Sequence, residues 1–245
     1  MNTVKRAIIN AAGIGKRMRP VTLDIPKPMV KVNGVRFIDT IISGLHKMGI
    51  QEIFIVVGYL KEQFEVLKEE YDGITLIKNP DYADCNNISS LFYAREHLED
   101  AMILDGDLII KNPKILTPEF EKSGYNAIWT EEFSDEWVMH VENNKVVSCE
   151  RDGGEKGWIL YSISRWTKED GIKLRRYLEQ EYLVEKNHQI YWDDIAMFCH
   201  FDDFDLGIIE MEKDDVREID DFEELVEIDK SYIGYAEGKK FETKK

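Results

Sequence analysis

Apolar positions along the first half of the chain recur with two alternating periods. Residues 5–12, KRAIINAA, become apolar from Ala7, broken only by Asn10, and end at a glycine loop, as a buried parallel strand does. Residues 37–50 then place Phe37, Ile41, Ile42 and Leu45 at helical spacing. EIFIVVGY at 52–59 is a second apolar run closed by glycine, and LKEQFEVLKEEY at 60–71 repeats Leu60, Phe64 and Leu67 as a helix would. ITLIKN at 74–79 is a short strand, and NNISSLFYAREHL at 86–98 opens on capping-type residues and continues as a helix. AMILDGDLII at 101–110 is a strand interrupted by two acids. Strands alternating with helices over about a hundred residues predict an α/β fold, with a mostly parallel, Rossmann-like sheet and helices on both faces.

Beyond residue 126 the period shortens. Residues 126–132, 137–150 and 157–166 alternate as strands, with turns at Asn143-Asn144 and Gly153-Gly154, and predict a small β insertion. Residues 168–183 and 220–235 return to helical spacing, the last preceded by a capping acid. There is no repeat and no low-complexity linker, so one mixed domain over 1–245 is expected.

Charge changes this picture at one place. The chain carries a formal net charge of -16, with 48 acids against 32 Lys and Arg. Between Asn10 and Lys31, however, Lys16, Arg17, Arg19, Lys27 and Lys31 face only Asp24. The overall sign argues against a nucleic-acid surface, and the local reversal points to a small anion. No apolar run approaches the eighteen or so residues of a membrane span, and the apolar run near the N-terminus is too short for a signal peptide. Cys85, Cys149 and Cys199 show no metal-ligand spacing and read as reduced thiols of a cytoplasmic protein.

Gly13-Ile14-Gly15-Lys16-Arg17 is not a P-loop, which needs four residues between its glycines and a Ser or Thr after the lysine. Nor is it a dinucleotide fingerprint, whose third glycine would fall on Met18. A plain strand-to-helix turn needs neither Arg17 nor Lys27. What remains is a loop whose backbone N–H groups and cations wrap a phosphate chain, with Ala11, Ala12 and Gly13 letting the ligand approach the backbone. Pro20, Pro26 and Pro28 stiffen the loop. Asp105 and Asp107, two apart at the C-terminal end of a strand, point to one side, at the sheet edge where ligands bind.

These residues resemble a family. AAGIGKRMRPVTLDIPKPM matches the A-A-G-x-G-x-R-x-x-P-x-T-x-x-x-P-K signature of nucleoside-triphosphate-dependent nucleotidyltransferases. VVGYLKEQFEVLKEEY, NPDYADCNNISSLFYA, DEWV, YWDD and REID follow in the order found in bacterial CTP:phosphocholine cytidylyltransferases, so the resemblance runs from residue 7 to about residue 225. It implies a nucleotide-binding half over 1–125 and an acceptor-binding half over 126–245. It also implies transfer of CMP from CTP to phosphocholine, giving CDP-choline and pyrophosphate, with Mg²⁺ as cofactor.

Carried over residue by residue, the resemblance makes Arg17 the holder of the triphosphate and Lys27 the lysine beside the reacting phosphates. Both are alternatively solvated loop cations, as are Lys16 and Arg19. Ala11, Ala12, Gly13, Gly15 and Lys16 fall in the nucleotide loop, with Asp105 as its support. Asn86 and Asn87 either read the pyrimidine edge or cap the following helix. Asp107 and Asp220 match the metal aspartates, although Glu218 and Asp221 lie close enough in sequence to replace Asp220. Trp137, Tyr191, Trp192 and Asp194 fall in the acceptor segments, where aromatic faces and carboxylates suit a quaternary ammonium; the aromatic residues are otherwise core. Other readings stay open: a cytidylyltransferase for 2-aminoethylphosphonate or a related aminoalkyl phosphonate, a sugar-1-phosphate nucleotidyltransferase, or a non-catalytic nucleotide-binding regulatory module. A homodimer is possible, and neither nucleic-acid nor membrane partners are expected.

Overall fold

The structure, a computed structural model, describes residues 1–236. Strands β1 (Arg6–Ala11), β2 (Glu52–Val57), β3 (Ile74–Lys78) and β4 (Ala101–Asp105) are parallel in the order β3-β2-β1-β4. Alternation along β1 divides the core. Ala7 and Ile9 pack with Ile38, Ile41, Ile42 and Leu45 of helix α1 (Phe37–Lys47) on one face. Ile8 packs on the other, with Ile88 and Leu91 of α2 (Ile88–Ala94) and Leu174 of α3 (Lys168–Glu179). Connections from β1 lead to β2 on one side and eventually to β4 on the other, so the loop after β1 opens at the switch point of the sheet, where ligands bind in α/β folds.

After β4, a short strand β5 (Leu108–Ile110) leaves the main sheet. The second half of the chain extends that sheet with antiparallel strands. β9 (Gly157–Trp166) pairs with β4, with β6 (Gly124–Thr130) and with β7 (Val138–Glu142), and β7 pairs with β8 (Lys145–Glu150). The expected turn between β7 and β8 is present, with Asn143 and Asn144 both at positive φ. β10 (Gly207–Glu210) lies parallel to β6. β11 (Val216–Glu218) pairs antiparallel with β5 and sets Glu218 opposite Leu108. The sheet is therefore parallel through its first four strands and largely antiparallel beyond β4. Among the described residues no helix is long and apolar enough to cross a membrane.

Two local expectations change. Residues 60–71 are not one helix: Leu60 sits at positive φ, Lys61–Phe64 is a 3₁₀ turn, and a single α-turn follows at Leu67–Glu70. Phe64 ends the first turn and Leu67 opens the second, and both are fully buried. Asn86 and Asn87 do not cap α2 with their side chains. Asp221, by contrast, caps α4 (Phe222–Ile228), as expected, by accepting from the Glu224 N–H at 2.9 Å.

Arg165 on β9 is fully buried. Its guanidinium donates to the carbonyls of Thr117 (2.8 Å) and Ile115 (2.6 Å) and to Asn126 Oδ1 (2.6 Å). Burial lowers its pKa to about 10, which leaves it charged at neutral pH. It thereby bolts the 113–117 segment, which leads out of β5, to the main sheet. Arg165→Ala strands these acceptors and opens a cavity; the expected loss is roughly 3 kcal/mol or more in urea unfolding. A loss under about 1 kcal/mol would mean that water replaces the guanidinium there.

Candidate active site

The glycine loop leaves β1 and returns to the sheet through Lys27. Gly15 lies at φ 64°, and a Cβ there would press within 3.1 Å of both Lys27 Cβ and Thr22 Cγ2, so glycine is required for backbone and space alike. Thr22 Oγ1 closes the loop on the Gly15 carbonyl at 2.8 Å. Tyr59 braces it from the turn after β2, its N–H donating to the Ala12 carbonyl (3.0 Å) and its hydroxyl to the Thr22 carbonyl (2.8 Å). Gly106, between the two acids of Asp105-Gly106-Asp107, lets β4 approach β1: its N–H reaches the Asn10 carbonyl at 2.8 Å, and a Cβ would meet that oxygen at 3.0 Å.

Lys27 is buried, and its Nζ lies 2.7 Å from Asp107 Oδ2 and 3.3 Å from Asp220 Oδ1. Burial pulls its pKa down, but Asp107, Asp220 and Glu218 outweigh this, and the net shift is upward; Lys27 stays cationic. Arg17, largely exposed, pairs with the same Asp220 Oδ1 at 2.7 Å. The β5–β11 pairing is what joins these distant segments. It gathers carboxylate oxygens of Asp107, Glu218 and Asp220 within 4.8 Å of one another. This decides between the neighbouring acids: Glu218 joins the cluster, whereas Asp221 is used as the cap of α4. Desolvation in the cleft and the charges of Asp107 and Asp220 push Glu218 up to about 8. Three hard oxygen donors gathered this closely fit a divalent cation, which would relieve the repulsion that raises Glu218. Asp105 sits behind them, accepting from Asn10 Nδ2 at 3.3 Å, with burial first and Asp107 second raising it to about 7.

Two cavities meet at this cluster. The first, about 550 Å³, is lined by the loop from Asn10 to Arg17, by Lys27 and by the 82–87 segment, including Asn86 and Asn87. It thus brings together every residue expected to touch the nucleotide. Asn79, fully buried, ties the end of β3 to the first turn of α2, which follows that segment, by donating to Ser89 Oγ (2.9 Å) and Ser90 Oγ (3.1 Å). Asn86 donates to the Gln189 carbonyl (3.1 Å), and Asn87 Oδ1 accepts the Trp192 N–H (2.9 Å), so the 188–192 segment is laced to the nucleotide side. The second cavity, about 650 Å³, is lined by Glu136, Trp137, Tyr161, Tyr191, Asp193 and Glu218, among others. Asn87, Asp105 and Asp220 line both.

In the second cavity the aromatic expectations divide. Trp137 and Tyr191 stand at 88° to each other with ring centroids 5.9 Å apart, and both face the cavity. Trp192 does not: it is fully buried against Tyr125 and Trp166 and belongs to the core. Asp194 is also displaced from the expected role. It is buried, pairs with Arg151, and accepts the Tyr191 N–H at 2.7 Å. Its neighbour Asp193 lines the cavity instead. The YWDD segment is a tight turn, where adjacent side chains point to opposite sides, and no sequence period tells which acid faces in. Asp193 is buried, its Oδ1 has no hydrogen-bond partner, and burial with the nearby Asp105 raises its pKa well above the usual carboxylate range.

The nucleotidyl transferase family matches residues 6–130. A 2-aminoethylphosphonate cytidylyltransferase from Lancefieldella rimae is 34% identical over 229 residues, 93% of either chain. A choline-phosphate cytidylyltransferase from Streptococcus pneumoniae is 35% identical over 228 residues, 91% of this chain and 97% of its own. The solved structure of a CTP:phosphocholine cytidylyltransferase from Streptococcus pneumoniae superposes with a TM-score of 0.86 at 33% identity, covering 94% of this chain and 99% of that one. With its glycine loop, its carboxylate cluster and its full-length relatives, the chain belongs to the nucleotidyl transferase family.

Proposed function

We propose that the chain transfers CMP from CTP to phosphocholine, releasing pyrophosphate. One observation carries the acceptor class. The second cavity offers two perpendicular aromatic walls and the buried carboxylate of Asp193, whose Oδ1 has no hydrogen-bond partner, and it shares Asp105 and Asp220 with the nucleotide cavity. That suits a molecule with a cationic head and a phosphate tail. An oxygen of that tail attacks the α-phosphorus of CTP in line; the new P–O bond forms as the bond to the bridging oxygen breaks, and the electron pair leaves with pyrophosphate. No protein nucleophile is needed, and alignment and charge compensation supply the catalysis. Lys27, held cationic, offsets charge on the reacting phosphates; Arg17 and Lys16 hold the leaving end. Backbone groups of Ala11, Ala12, Gly13 and Gly15 cradle the triphosphate, and Asn87 and Asn86 face the base. Mg²⁺, held by Asp107, Glu218 and Asp220, would neutralise further phosphate charge. One continuous sheet, through the β4–β9 pairing, supports a single domain whose halves serve the two substrates.

A second reading keeps CTP and replaces phosphocholine with 2-aminoethylphosphonate. The Lancefieldella relative and the carboxylates of Asp193 and Glu136 at the cavity favour it. A trimethylammonium group has no N–H donor and is held by ring faces, whereas a primary amine needs close acceptors. A desolvated cation–π contact is worth roughly 2 kcal/mol, a factor of about thirty. Phosphocholine is therefore expected to exceed phosphoethanolamine by at least about tenfold in kcat/KM, measured by pyrophosphate release at fixed CTP. A preference for 2-aminoethylphosphonate selects the second reading, and CTP binding without turnover on any acceptor selects a regulatory module.

Lys27→Ala is expected to lower kcat more than it raises the KM for CTP, because its charge matters most in the transition state. An unchanged kcat reduces Lys27 to a structural ion-pair partner. Asp107→Ala should abolish most turnover and leave the secondary structure intact by circular dichroism, with near-normal kcat refuting its assignment.

Asp193 also links the site to stability. Its folded pKa is raised above the unfolded value, so its stabilising contribution is complete below the unfolded pKa and is lost as pH rises through the folded one. Asp193→Asn, neutral throughout, should match the wild type near pH 4 and become the more stable protein as pH rises. The gap should widen by at most about 1.4 kcal/mol per pH unit, while acceptor KM worsens. Denaturation across the pH range gives the readout, and a pH-independent difference rules the account out.

A further inference from the structure

Trp137 and Tyr191 form the walls of the acceptor cavity, and the group that holds both lies behind them. Arg151, in the turn after β8, is not among the cavity-lining residues. Its guanidinium carbon lies 5.1 Å from the Trp137 ring centroid and 4.5 Å from that of Phe198, and the Phe198 ring is itself edge-on to Trp137 at 5.1 Å. The same guanidinium forms an ion pair with the buried Asp194, whose Oδ2 accepts the Tyr191 N–H at 2.7 Å. One side chain thus touches the first wall directly and reaches the second through a carboxylate.

Two physical arguments make this arrangement specific to arginine. A planar guanidinium stacks on aromatic faces while its edge pairs with a carboxylate; an ammonium is a compact charge without a stacking face. A bare cation on the outer side of Trp137 would also repel a cationic head on the inner side, and Asp194 cancels that charge. The buried ion pair is costly to desolvate, which makes it a weak source of stability and a better source of geometry.

We propose that Arg151 is a positioning residue that determines acceptor specificity, holding Trp137 and Tyr191 at right angles through its stack on Trp137 and Phe198 and its ion pair with Asp194. The inference rests on the reading that an ammonium-bearing acceptor occupies this cavity.

The test compares wild type, Arg151→Lys, Trp137→Ala and the double variant in steady-state kinetics with CTP and whichever ammonium-bearing acceptor the wild type prefers. Arg151→Lys keeps the charge opposite Asp194 and loses the stack. It should raise the acceptor KM about tenfold while kcat and the KM for CTP stay within about twofold. In the Trp137→Ala background the same change should alter acceptor KM less than about twofold, because there is no longer a ring to place. An independent variant, Phe198→Leu, removes part of the guanidinium's seat and should raise acceptor KM selectively even if Arg151→Lys folds poorly. A wild-type acceptor KM in Arg151→Lys overturns the inference, as do equal effects with and without Trp137, or parallel losses toward CTP and acceptor. An active wild type with an indifferent Arg151 overturns this inference alone. A wild type that transfers CMP to no ammonium-bearing acceptor overturns the proposed function and this inference with it.

Discussion

A lysine buried among carboxylates from two remote segments is the constraint on which the site depends. Lys27 comes from the glycine loop, Asp107 from the end of the parallel sheet, and Asp220 from a segment some two hundred residues downstream of the loop. Taking an ammonium out of water is costly, and this one is retained because two carboxylates meet it at bonding distance. The same contact draws the loop onto the sheet edge and brings the end of β11 against the end of β4.

The electrostatics follow from that gathering. Asp105, Asp107, Glu218 and Asp220 converge in one cleft, and mutual repulsion with desolvation holds Asp105 and Glu218 partly protonated near neutrality. Such a cleft would reject phosphate. Lys27 and Arg17, set against the carboxylates, supply the compensating charge on the nucleotide side. In a chain with a formal net charge of -16, this explains why the cations between Asn10 and Lys31 are so poor in acidic neighbours. The second cavity poses a different problem. There the walls are aromatic, the inward carboxylate is Asp193, and the supporting charges of Arg151 and Asp194 are kept behind the rings.

Much of this was legible from the chain itself. The periods of 5–12, 37–50 and 52–59 report burial on two sides of a strand or one face of a helix, and those elements appear where the pattern puts them. Asp105 closes β4, but Asp107 lies in the turn that follows, so it is the turn and not strand alternation that brings Asp107 to the cavity. At 60–71 the pattern predicts one helix, whereas the chain makes a 3₁₀ turn and then an α-turn that still bury Phe64 and Leu67. The twin asparagines illustrate competition among partners: either could have capped α2, but the incoming 188–192 segment offered backbone groups that used them instead.

The sequence by itself determined the glycine loop, the order of strands and helices, and the kinds of residue that would meet a phosphate chain, because these depend on backbone freedom, period and charge along a few neighbouring residues. Only the tertiary structure decided which member of each adjacent pair entered the site. Tyr191 faces the cavity and Trp192 the core; Asp193 faces in while Asp194 anchors Arg151; Glu218 joins Asp107 while Asp221 caps a helix. Neighbours in a turn share composition and local propensity, and they are told apart only by what packs on each side. Here that was set by the β5–β11 pairing and by the aromatic core beneath β6 and β9.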